Sequence, residues 1–179
     1  MVARAIVWII VVVSIMYFAS MTSAYLVRQA EGNWLYFDVP RIFFVSTGVI
    51  IFSSILLLFK LFVKGDALKH RRLIDMVVGI CGVLFIYLQF QGWAELVDAG
   101  VFFAGRESNP SGSFFYVLTA SHMVHVAVGV ILLLSTSAVG FLKGVESFGY
   151  KAISSVSAIF WHFVDILWVY LLFFILFIR

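Results

Sequence analysis

The chain has 179 residues, of which 64% are hydrophobic and 12% charged, with a formal net charge of +3. Soluble domains carry about 25% charged residues, and a chain this short has no core large enough to hide so much apolar surface. A soluble globular fold is excluded, and so is a nucleic-acid partner, because the basic residues flank apolar runs in the way that sets membrane topology.

The charges divide the chain into runs. Arg4 and Arg28 bound an uncharged stretch, 5–27, and Arg41 and Lys60 bound 42–59. Asp75 and Glu95 bound 76–94, 108–142 carries no charged residue, and 152–178 carries only Asp165. A helix needs about 20 apolar residues to cross the hydrocarbon of a bilayer. Backbone groups there must bond within one helix or close into a barrel, and these runs lack the period-two alternation of barrel strands. The pattern predicts an all-α membrane protein with five transmembrane helices, at about 5–27, 41–63, 74–97, 114–139 and 152–178, in one domain spanning 1–179.

The first run has the outline of a signal peptide, with Ser23 and Ala24 near its end, but it is long for one and stays apolar through 25–27, which argues for a retained helix. Cys81 stands alone in an apolar run and reads as a small hydrophobe. Turn residues fill 105–113, with Ser111 or Ser113 expected to cap the fourth helix. Trp34, Tyr36, Trp93 and Tyr116 are expected at the outer membrane boundary.

Five crossings put Arg4, Lys60, Lys64, Lys69, Arg71, Arg72, Lys143 and Lys151 on one side, and Arg28, Arg41, Arg106 and Arg179 on the other. Eight against four predicts a cytoplasmic N-terminus and an outside C-terminus. The Lys69-His70-Arg71-Arg72 run is read as a topology anchor at the lipid headgroups.

Two polar clusters stand out in the apolar background. His122 and His125 are three apart on the fourth helix, with Gly129 one turn further; His162 and Asp165 are three apart on the fifth, between Trp161 and Trp168. A carboxyl in mid-membrane must be neutral or partnered. The short connection between these helices makes them antiparallel neighbours, so a seam of His122, His125, His162 and Asp165, with His125 reaching Asp165, is expected, Gly129 allowing close approach. Three uses of the seam stay open: hydrogen bonds that fix packing, a metal or haem site, and a proton relay. The residues complete no obvious ligand set, so no metal site is assigned. No phosphate-binding glycine pattern, His-Glu-x-x-His zinc motif or nucleophile elbow occurs, so no catalytic residue is assigned either.

These same residues resemble subunit III of the haem–copper oxidases, the family that includes cytochrome c oxidase and the quinol oxidases. The stretch 113–126, with Phe115, Leu118, Thr119, His122 and His125, followed by Gly129, is similar to the family's fourth-helix pattern here. Trp161, His162, Phe163, Asp165 and Trp168 resemble its last-helix signature, with weaker matches at 24–28 and at Gln89 and Trp93. The resemblance implies a non-catalytic subunit that packs on subunit I beside subunit II and holds phospholipid. Haem and copper would lie in the partner subunits of a proton-pumping terminal oxidase in the bacterial inner membrane, open to membership of a larger respiratory supercomplex. The long form of the family has seven helices, so this chain is expected to be the short form lacking the first two. Ser14 stands where the resemblance leads one to expect a glutamate, Gly92 where a second is common, and Ala120 and Met123 where glycines are usual. Alternatives are subunit III of a quinol oxidase, a homologue associated with nitric-oxide reductase, or, in another class, a small proton-coupled transporter. Against the transporter, the chain lacks an inverted repeat and Gly/Pro-broken helices.

Overall fold

The computed structural model describes residues 2–63 and 65–178; Lys64 and Arg179, two of the charges counted for topology, lie outside the described residues. Five long helices make up nearly all of it: α1 (Val2–Ala30), α2 (Arg41–Phe59), α3 (Arg71–Asp98), α4 (Pro110–Lys143) and α5 (Phe148–Ile178). Short 3-10 turns at Lys60–Phe62 and Gly65–His70 join α2 to α3. Each of the five is long and apolar enough to cross a membrane, the spans running from 22 to 34 residues.

Helix α2 packs on α3, α3 on α4, α4 on α5, and α5 returns to α2, closing a four-helix ring; α1 stands outside it against α5 and α4. Each helix turns a stripe with alternating spacings of three and four toward its neighbours. On α1 the stripe is Val7, Val11, Ser14, Phe18, Thr22 and Tyr25, and on α2 it is Phe43, Ser46, Ile50, Ser53 and Leu57. The opposite faces are equally apolar, with Trp8, Ile9, Phe52, Ile131 and Phe173 all more than half exposed. In lipid, apolar burial does not distinguish the two faces; small and polar side chains mark the inner one because they let backbones approach and bond across.

Helix α4 begins at Pro110, four residues before the expected start, and its cap is Asn109 rather than Ser111 or Ser113. Proline suits the first helical position, where no N–H is needed. Asn109 Oδ1 accepts from Ser111 N (3.1 Å) and Ser111 Oγ (2.8 Å). It also accepts from Leu35 N (3.1 Å), while its Nδ2 donates to Asn33 O (3.0 Å), so one side chain ties the α1–α2 connection to the start of α4. Ser113 Oγ donates instead to Phe103 O at 2.7 Å.

The opposite end of the ring is held by a buried polar cluster. Lys60 Nζ donates to Asp75 Oδ1 and, at 2.7 Å, to Ser154 Oγ; Tyr150 OH donates to Asp75 Oδ2 at 2.8 Å. Three helices thus meet on one ion pair whose side chains are 9% and 1% exposed. Arg71, expected at the headgroups, is partly buried and donates to Val63 O, and Arg72 lies over the Phe141 ring. At the exposed α4–α5 connection the hydrogen bond and charge of Lys151 hold the Glu146 carboxyl below its usual range.

Candidate functional site

The centre of the ring is built from two tryptophans on α5. Trp161 is fully buried, and its Nε1 donates to Ser53 Oγ on α2 at 3.0 Å. Its ring lies between Gly82 of α3 and Gly129 of α4: a Cβ added at Gly82 would lie 2.5 Å from Cη2, and one at Gly129 2.8 Å from Cε3. Glycine is needed at both positions because the indole occupies the space a side chain would take. Two turns along α5, Trp168 Nε1 donates to Thr47 Oγ1 on α2 at 2.8 Å. Its ring meets Phe85 edge-on at 5.0 Å and runs roughly parallel to Phe43, whose centroid is 6.3 Å away.

His122 is fully buried beside Trp168, with ring centroids 4.9 Å apart. Its Nε2 lies 3.1 Å from Val164 O. A carbonyl only accepts, so Nε2 carries the hydrogen, and the imidazole bonds α4 directly to the α5 backbone. Thr119 accepts from Trp93 Nε1 at 3.1 Å, and Gln89 Nε2 donates to Ser46 Oγ at 3.0 Å, bonding α3 to α4 and α3 to α2. Phe115 packs edge-on against Phe43 and Phe37, Leu118 is fully buried, and Phe163 is partly buried beside Phe160.

The expected seam is divided. His125 does not reach Asp165: its Nδ1 donates to Ser121 O at 2.8 Å, and its Nε2 accepts from Ser14 Oγ on α1 at 3.1 Å. Three helical residues turn the side chain by about 60°, which sends His122 into the ring and His125 out to α1. His162 and Asp165 face α2 instead. His162 Nδ1 pairs with Ser54 Oγ at 2.7 Å. Asp165 is 4% exposed, and neither carboxyl oxygen has a hydrogen-bond partner among the described residues. It lines a groove of about 290 Å³ between α2 and α5 with Ile51, Ser54, Ile55, Leu58, Ile166 and Val169.

Among the described residues no three His, Cys, Asp or Glu side chains are grouped to hold a metal ion. Sequence reasoning missed Thr47, Ser53 and Ser54, the α2 hydroxyls that receive the α5 motif, and the Lys60–Asp75–Tyr150 cluster. Two hydroxyl pairs seven residues apart along α2, Ser46-Thr47 and Ser53-Ser54, were the available signal for the first group.

No family model matches the chain. It is similar to the probable cytochrome c oxidase subunit 3 of Nocardia farcinica, 31% identical over 92% of this chain and 82% of that protein. Cytochrome c oxidase subunit 3 of Corynebacterium diphtheriae is 28% identical over the same shares. The cytochrome bo(3) ubiquinol oxidase subunit 3 of Buchnera aphidicola is 29% identical over 73% of this chain and 69% of that protein.

Proposed function

The chain belongs to the subunit III family of haem–copper oxidases, a multi-pass membrane component of an oxidase complex, and on that premise we propose that it is the non-catalytic structural subunit of a proton-pumping terminal oxidase of aerobic respiration. It packs on subunit I beside subunit II, and the haem and copper belong to those partners. Its N-terminus faces the cytoplasm of a bacterium and its C-terminus the outside; the eight-to-four excess of basic residues supports that orientation.

The observation that carries the reading is how the motif residues are used. Trp161, Trp168, Thr119, His122, His125 and His162 each hold a hydrogen bond between or within helices of the bundle. Ser14, at the position where the resemblance leads one to expect a glutamate, bonds His125 and supplies no carboxyl to gather protons. Bound phospholipid is supported by a groove of about 320 Å³ at the inner end of α2 and α5, whose lining includes the cationic side chains of Arg71 and Lys151, suited to an anionic headgroup.

Purification in mild detergent through a tag on this chain tests the proposal. Haem-containing subunits co-purify and are seen in the absorption spectrum; a homogeneous colourless product overturns the reading. The Buchnera relative supports a second version, subunit III of a quinol oxidase. Oxidation of a quinol but not of reduced cytochrome c by the purified complex would select it.

A further inference from the structure

The carboxyl of Asp165 is a polar group buried within the bundle. Its two oxygens have no partner among the described residues, although it sits near the middle of α5, 17 residues from one end and 13 from the other. Ser54 on α2 shares the groove with the carboxyl and faces it, while its hydroxyl is paired with His162 Nδ1 at 2.7 Å. A buried polar group in hydrocarbon is retained when it pairs with a donor or serves a function. The hydrophobic rim around it, Ile51, Ile55 and Ile166, is 42%, 59% and 69% exposed.

A second observation points the same way. Gly48 lies on the outward stripe of α2 with Ile51 and Ile55, and a Cβ added there meets nothing within 4 Å. The chain's own packing does not require that glycine, unlike Gly82, Gly92 and Gly129. A small residue on the outer face of a membrane helix lets another helix approach closely.

We propose that the α2–α5 groove is the seat of a transmembrane helix from a partner oxidase subunit, which lays its backbone against Gly48 and presents a hydrogen-bond donor to Asp165. A lipid acyl chain fills the groove equally well by shape but brings no donor to this depth. The inference rests on the oxidase reading above and specifies which face of the chain meets its partner.

The test uses the tagged complex with the photo-crosslinker p-benzoylphenylalanine at Ile55 and, separately, at Ile166. Irradiation yields covalent adducts with a partner subunit from both positions. Adducts with lipid alone, in preparations that retain haem, overturn the docking proposal and leave the oxidase reading standing. A colourless preparation from the unmodified chain overturns both. Retention of haem per tagged chain is then titrated against detergent. Hydrogen bonds between membrane helices are worth about 0.6–1.7 kcal/mol, so Asp165→Leu lowers retention by roughly three- to twentyfold while Asp165→Asn, which keeps a donor and an acceptor, stays close to the parent. Gly48→Leu, whose Cβ meets nothing of this chain within 4 Å, lowers retention as well. Unchanged retention in both leucine variants shows that water alone serves the carboxyl and overturns the proposal.

Discussion

Adding one methyl group at Gly82 should destabilise the bundle through a single identifiable contact. The new Cβ of Gly82→Ala would lie 2.5 Å from Trp161 Cη2 and 2.5 Å from Val130 Cγ2. Carbon atoms rest about 3.5–4.0 Å apart, so roughly 1 Å must be found. The indole cannot slide to provide it: its Nε1 is bonded to Ser53, and its other side is against the α4 backbone at Gly129. Overpacking of this kind costs about 1–3 kcal/mol, and the gain in helix propensity from glycine to alanine returns up to about 1 kcal/mol. The net loss is about 1–2 kcal/mol, which lowers the unfolding midpoint by roughly 3–6 °C for a chain of this size. Thermal unfolding in detergent, followed by far-ultraviolet circular dichroism, measures it. The decisive comparison is the Trp161→Phe background, where Cη2 is gone and Gly82→Ala meets only Val130. There the cost of the added methyl should fall by about 0.5–1.5 kcal/mol, an ordinary coupling for residues in contact. An equal cost in both backgrounds, or none in either, would refute the assignment of Gly82 to the indole.

Two further perturbations probe the ends of the ring. Lys60→Met leaves the Asp75 carboxyl buried without its cation and should cost about 3–5 kcal/mol, whereas Lys60→Met combined with Asp75→Leu should be much milder; equal losses in detergent unfolding would sink the ion-pair account. Asn109→Ala removes the α4 cap and both ties to the α1–α2 connection, a loss of about 1–2 kcal/mol, and should speed limited proteolysis between residues 31 and 40. Asn109→Asp keeps the cap and loses the bond to Asn33, so its cleavage rate should fall between the two; parental behaviour of the alanine variant would contradict the tie.

The helices were legible because hydrocarbon imposes a length and forbids scattered charge. The runs bounded by Arg4 and Arg28, by Arg41 and Lys60 and by Asp75 and Glu95, then 108–142 and 152–178 with Asp165 alone, locate five helices without any knowledge of packing. The start of α4 lies before the serines of 111–113 because Asn109-Pro110, with a side-chain acceptor and a missing N–H, forms the cap. The partners of His125 and Asp165 were not legible either. Residues three apart share a broad helix face, and the smaller rotation between them, which sends His122 to α5 and His125 to α1, depends on where neighbouring helices stand.

By itself, the amino-acid sequence determined that this is a five-helix membrane protein, and through the Trp161–Trp168 motif it pointed to the subunit III family. Both follow from local requirements: continuous apolar length, and residue types in fixed order along one helix. Only the tertiary structure decided which apolar face turns inward, that Ser53, Thr47 and the glycines of α3 and α4 receive the α5 tryptophans, and that Lys60 and Asp75 close one end of the ring. It also decided that Asp165 turns away from the histidines of α4 toward an open groove. Lipid and protein core are equally apolar, so the partition between them carries no periodic signal in the sequence. What selects the inner face is close backbone approach and hydrogen bonds across helices, and those exist only once the helices are assembled.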